Sequence, residues 1–162
     1  MLRTVLLSAL LFAMTTSGQS FAEESKPKGA ELRGFAAGST VVEVFMKGLR
    51  DGNLDAVLAT VDVPWYQDGT KILESKDALR DLLSEPIKER ELADSSAKVV
   101  EVLQFKSLRD KASGTAGELL KKVAKDEDLV FLMKITVGTK SKDMMLLVRV
   151  NRDRAKIIGL RD

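Results

Sequence analysis

The side chains most able to do chemistry are concentrated between Asp62 and Asp68, where the chain reads Asp-Val-Pro-Trp-Tyr-Gln-Asp. This stretch holds the only Trp and the only Tyr of the 162-residue sequence, with a carboxylate at either end. A carboxylate in apolar surroundings can be tuned to take up a proton, and an aromatic ring can wall a pocket. Asp68 and Asp62 are therefore the candidates for a catalytic base. Trp65 and Tyr66, with Phe45 and Met46 from an upstream helix, are the candidates for ligand contact. Plainer roles compete with each. Asp68 precedes Gly69 in a turn signature, where Asp is favoured because it bonds the local backbone. Asp62 can simply end a helix. Trp65 can fill a core, and Met46, Met133, Met144 and Met145 suit gap filling.

The inventory excludes more than it suggests. There is no His and no Cys, which removes the commonest general base and the principal zinc and haem ligands. No metal and no cofactor is expected, and the same absence rules out a Ser-His-Asp triad. The formal charge of +2 comes from 26 basic and 24 acidic residues, a balance that offers no electrostatic footing for nucleic acid. Arg149, Arg152, Arg154, Lys156 and Arg161 lie close in sequence, but Asp153 and Asp162 dilute them, and they read as solvated turns.

With 44% hydrophobic and 31% charged residues the sequence suits one soluble domain. Its first residues differ. Arg3 precedes the apolar run Val5–Met14 and the small-residue triplet Ser20-Phe21-Ala22, the pattern of a secretory signal peptide. The run is shorter than the roughly 20 residues that cross a bilayer, so no stable membrane insertion is expected after cleavage. The expected layout is a signal peptide over 1–22, a flexible linker over 23–37 and one domain over 38–162. The location implied is exported, periplasmic or extracellular. Without Cys, the exported domain relies on its hydrophobic core alone.

Periodicity then places the elements. Thr40 with Glu43 forms a capping-box pattern, followed by Val41, Val42, Phe45, Met46 and Leu49 on one helical face. Gly52 ends this helix and Asn53 caps a second, carrying Leu54, Val57, Leu58 and Val61. Pro64 forces Val63–Tyr66 to be extended at a sheet edge or entrance. Ser75 and Asp77 open a third helix, which Pro86 interrupts. Lys98–Leu108 alternates as a strand. Thr115 and Glu118 suggest a helical insertion with Lys121, Lys122 and Lys125 outward. Leu129–Val137, Met144–Val150 and Ala155–Leu160 form an antiparallel meander. Leu129, Phe131, Met133, Ile135 and Val137 share one face. Val130 and Leu132, on the other, need a cover from the insertion helix or a partner subunit.

The segment Phe45-Met46-Lys47-Gly48-Leu49-Arg50-Asp51-Gly52-Asn53-Leu54-Asp55-Ala56-Val57-Leu58 resembles the opening of nuclear transport factor 2-like domains. The resemblance extends in element order over about Ser39–Leu160. It implies an α+β fold of the cystatin-like type, in which a curved antiparallel sheet wraps a helical hairpin and a third helix into a cone. The helical insertion ahead of the meander is an addition to that pattern. Members of that superfamily include ketosteroid isomerase and SnoaL-like cyclases, and the ketosteroid isomerase-like enzymes place a carboxylate base just after the second helix, which by resemblance falls on or near Asp68, with Asp62 as the other register. The position of their first-helix phenol falls on Phe45, which cannot donate a hydrogen bond. The expected function is thus an exported, noncatalytic domain that binds a small apolar ligand or a protein partner. The alternatives are an isomerase- or cyclase-type enzyme using a pocket carboxylate, and a structural homodimer formed through the sheet face.

Overall fold

The computed structural model describes residues 29–90, 92–152 and 154–162. The signal peptide and the first part of the linker lie outside them. The described residues form an α+β domain of four α-helices and a six-stranded mixed sheet that does not close. The elements are α1 (Gly29–Asp51), α2 (Leu54–Thr60), β1 (Val61–Gln67), β2 (Lys71–Leu73), α3 (Lys76–Lys88), β3 (Ser95–Gln104), α4 (Gly114–Val123), β4 (Leu129–Val137), β5 (Lys140–Asn151) and β6 (Arg154–Arg161). The sheet order is β2-β1-β6-β5-β4-β3. It is antiparallel except where β1 runs parallel to β6, so the expected cone-forming sheet is present with one parallel joint.

The helical hairpin forms as its residue types dictate. Asn53 Oδ1 accepts from the Ala56 amide at 3.0 Å, satisfying one of the first-turn donors of α2. Gly52 takes φ 70, the left-handed conformation that glycine adopts at no steric cost. The start of α1, by contrast, lies well before Thr40. Residues 29–37, read as tether, are helical from Gly29 onward, and the Thr40 hydroxyl donates to the Ala36 carbonyl at 3.0 Å from mid-helix. The reason is tertiary. Phe35 packs on the core, and a Cβ at Gly38 would lie 3.1 Å from Leu129 and Phe131, so the small residue lets α1 lie close on β4.

Two other punctuation marks are overridden. Pro86 sits inside the last turn of an uninterrupted α3, because Leu83 and Ile87 are both buried and hold that turn against the core. The capping box at Thr115 does not form. α4 begins at Gly114 with Ser113 at the cap position, two residues before Thr115, and Glu118 pairs with Lys121 at 3.1 Å instead. Ser75 caps α3 as its type predicts, accepting from Asp77 and Ala78. The strand expected over Lys98–Leu108 is shifted toward the N-terminus, with Phe105–Ser107 forming a 3-10 turn and a register shift between Val99 and Glu101.

The sheet carries a core on each face. On the inner face Leu129, Phe131, Met133 and Ile135 of β4 join Met144, Leu146 and Val148 of β5 beneath α1, α2 and α3. On the outer face Val130, Leu147, Ile158 and Tyr66 pack with Phe105 and with Leu120 and Val123 of α4. The insertion helix is therefore the cover that Val130 required, while Leu132 is only partly buried at the margin of this cluster.

Candidate functional site

Strand alternation separates the residues that the sequence placed together. Trp65 faces inward and is fully buried, and Tyr66 faces outward and is equally buried. Asp62 lies away from both. Its carboxylate is half exposed, accepts from the Val63 amide at 2.9 Å and stands 3.5 Å from Lys76 Nζ. It borders a small recess of about 200 Å³ with Leu58, Leu79 and Arg80.

A larger cavity, of about 410 Å³, opens between β1, α3 and the ends of β5 and β6. Its bed is Phe45, Leu49, Trp65, Leu83 and Met144, all buried, and its walls are the half-buried Leu82, Pro86, Leu92 and Leu160. Phe45 and Trp65 thus do meet at one site. Met46 is buried in the inner core and Tyr66 in the outer one, and neither lines this cavity.

The rim is polar: Gln67, Asp68, Glu85, Glu89, Lys142 and Asp162. Four of these join Trp65 in one chain of contacts. Trp65 Nε1 donates to Gln67 Oε1 at 2.8 Å, and Gln67 Nε2 donates to Asp68 Oδ2 at 2.7 Å. The Asp162 amide donates to Asp68 Oδ1 at 3.1 Å, while Lys142 Nζ pairs with the Asp162 carboxylate. The turn holding Asp68 is fixed by its own backbone. Asp68 has φ 49 and Gly69 φ 70, and the Asp68 amide donates to the Leu160 carbonyl at 2.9 Å. Asp68 is therefore both the turn residue that its position before Gly69 suggests and a rim group of the cavity.

Gln67 is the member that sequence reasoning missed. Alternation puts residues 65 and 67 on the same face, so the signal was present. Lys142 and Asp162 arrive through the pairing of β5 with β6, which no local pattern announces.

Tyr66 stands apart from the cavity, with Arg161 and Asp68 as its charged neighbours. Its hydroxyl lies beneath Gly69 and is without a partner at good hydrogen-bond geometry, Arg161 being the polar side chain that stands beside it. Burial pushes its pKa up, Arg161 nearby pulls it down, and Asp68 adds to the rise. The expected solvated setting also fails for Arg149. Its Nη2 donates to the Val123 carbonyl at 2.6 Å and to Asp128 Oδ2 at 2.9 Å, and Asp128 is completely buried. Among the described residues no group of His, Cys, Asp and Glu is arranged to hold a metal ion, and no helix is long and apolar enough to cross a membrane.

No family model matches the chain, and no curated protein matches its sequence. Solved structures to which it is similar include proteins described as nuclear transport factor 2-like or as having a cystatin-like fold. One is a nuclear transport factor 2-like protein of unknown function from Shewanella oneidensis, with TM-score 0.48 and 11% identity over 76% of this chain and 93% of that one. Another, from Cytophaga hutchinsonii, has TM-score 0.43 and 12% identity over 76% and 85%. A domain of unknown function with a cystatin-like fold from Nostoc punctiforme has TM-score 0.49 and 9% identity over 79% and 75%.

Proposed function

We propose that this is an exported, noncatalytic domain that holds one small, largely apolar molecule in the mouth of its cone. The observation that carries this reading is the cavity of about 410 Å³, with its bed of Phe45, Leu49, Trp65, Leu83 and Met144 beneath a hydrogen-bonded polar rim. Its volume falls within the range of about 300–1,000 Å³ typical of small-molecule sites, and an apolar bed with few oriented polar groups is their usual composition. Leu82, Pro86, Leu92 and Leu160 supply surface that a ligand can cover.

The isomerase- or cyclase-type alternative rests on Asp68 at the rim. Both of its oxygens already accept hydrogen bonds, from Gln67 and from the Asp162 amide. None of the cavity residues carries a hydroxyl that could stabilise an enolate. Binding without chemistry accounts for this arrangement more fully. As for a dimer through the sheet face, α4 already occupies the part formed by Val130, Leu147 and Ile158, which leaves Val100, Leu132 and Met145 beside a neighbouring groove.

Native mass spectrometry of the protein purified from its own host tests the proposal directly. The expected result is a retained small molecule, with a shift of Trp65 emission when it is removed. A spectrum of bare protein, together with Trp65 emission that no apolar compound alters, would refute the reading.

A further inference from the structure

Resting on that ligand-binding role, we infer that the cone mouth selects amphiphilic cations, molecules with an apolar body and one ammonium or amidinium head. The rim carries four carboxylates, Asp68, Glu85, Glu89 and Asp162, against the single amine of Lys142. This concentration of negative charge runs against the chain as a whole, whose formal charge is +2. Lys142 is moreover engaged with Asp162. Glu85 has only the distant Lys88 at 3.5 Å, with both side chains 70% exposed, a pairing that screens little of its charge.

The hydrogen-bond inventory points the same way. Gln67 turns its carbonyl to the indole and its amide to Asp68, so its orientation is set by Trp65. Asp68 Oδ1 and Oδ2 each accept one bond, leaving about half of the acceptor capacity of the carboxylate for a ligand donor. A cationic head has donors and no acceptors, which is what a rim of carboxylates can satisfy. An anionic head would meet the three carboxylates left outside the Lys142–Asp162 pair, and a neutral head would leave the field unused. The apolar part of the same molecule would lie against Leu82 and Leu160, above Phe45 and Trp65.

The test compares three compounds of equal chain length, decylammonium, decanol and decanoate, each below its aggregation threshold. Binding is followed by Trp65 emission and by calorimetry at about 0.02 M and about 0.5 M salt, where screening lengths differ several-fold. The expected result is that decylammonium binds about tenfold more tightly than decanol at low salt, with decanoate weakest, and that the preference shrinks at high salt. Asp68→Asn keeps the shape and suits the positive φ at that position. It should lower the ratio of decylammonium to decanol affinity by about threefold or more. Decanol or decanoate binding as tightly as decylammonium would overturn the charge selectivity while leaving the binding role standing. Failure of all three to bind would overturn the binding role itself.

Discussion

Arg149 grips Asp128 with two nitrogens, Nε to Oδ1 at 3.3 Å and Nη2 to Oδ2 at 2.9 Å, while Asp128 Oδ2 also accepts the Lys125 amide at 2.9 Å. Through the further bond of Nη2 to the Val123 carbonyl, one side chain of β5 fixes both the end of α4 and the loop after it. This pair secures the cover of the outer core.

Removing the arginine alone should be costly, because it strands a buried carboxylate. Arg149→Met is expected to lower stability by about 3 kcal/mol in urea denaturation. Replacing both partners, with Asp128→Leu added, should recover at least about 1 kcal/mol of that loss, since the uncompensated charge is gone. A double variant less stable than Arg149→Met would contradict this account of the pair.

Trp65 is fully buried and bonded through its indole to Gln67. Trp65→Ala should therefore destabilise the domain by about 3–5 kcal/mol, the cost of truncating a large core aromatic. Gln67→Ala should cost about 1–2 kcal/mol, because it leaves the buried indole N–H without its acceptor. Denaturant midpoints at constant slope give both values. A loss below about 1 kcal/mol for Trp65→Ala would mean that the ring is not held in the core.

Much of the fold was legible because local causes acted alone. Asn53 and Ser75 cap helices where their side-chain oxygens predict, and β4 spans Leu129–Val137 as read, with Leu129, Phe131, Met133 and Ile135 in the inner core and Val137 exposed at its end. The errors share one cause, tertiary contact overriding a local signal. Thr40 lost its capping role because Phe35 and Gly38 pack the preceding turns onto the sheet, and Pro86 failed to break α3 because Ile87 is anchored. The site was half legible. Phe45, Trp65 and Asp68 do converge, but alternation sends Tyr66 to the opposite core, and Lys142 and Asp162 come through β-pairing across residues remote in sequence.

Gly159 stands opposite Tyr66 where β6 pairs with β1. A Cβ there would lie 2.8 Å from Tyr66 Cβ and 3.0 Å from the Tyr66 carbonyl oxygen. One of those atoms is backbone and cannot rotate away. Gly159→Ala should then cost about 1–3 kcal/mol, as overpacking does, and should loosen the only parallel pairing of the described strands. Faster amide exchange at β1 residues that bond β6 would check the second effect, and unchanged stability would refute the first.

Tyr66 offers a prediction that depends on pH. Its pKa is raised above 10.0 in the folded protein, chiefly by burial. The folded domain therefore keeps the phenolic proton after the unfolded chain has released it. The resulting contribution to stability is complete below about pH 10 and is lost as the pH climbs through the folded value, at up to about 1.4 kcal/mol per pH unit. Tyr66→Phe removes that slope. It also removes a buried hydroxyl whose approach to Arg161 falls short of good hydrogen-bond geometry, so at neutral pH the variant should equal the parent or exceed it by up to about 1 kcal/mol. Because lysines titrate in the same range, the informative quantity is the difference between parent and variant stability as a function of pH. A flat difference above pH 10 would show that Arg161 holds the phenolate as well as water does, and a marked loss at neutral pH would show that the neutral hydroxyl is hydrogen bonded.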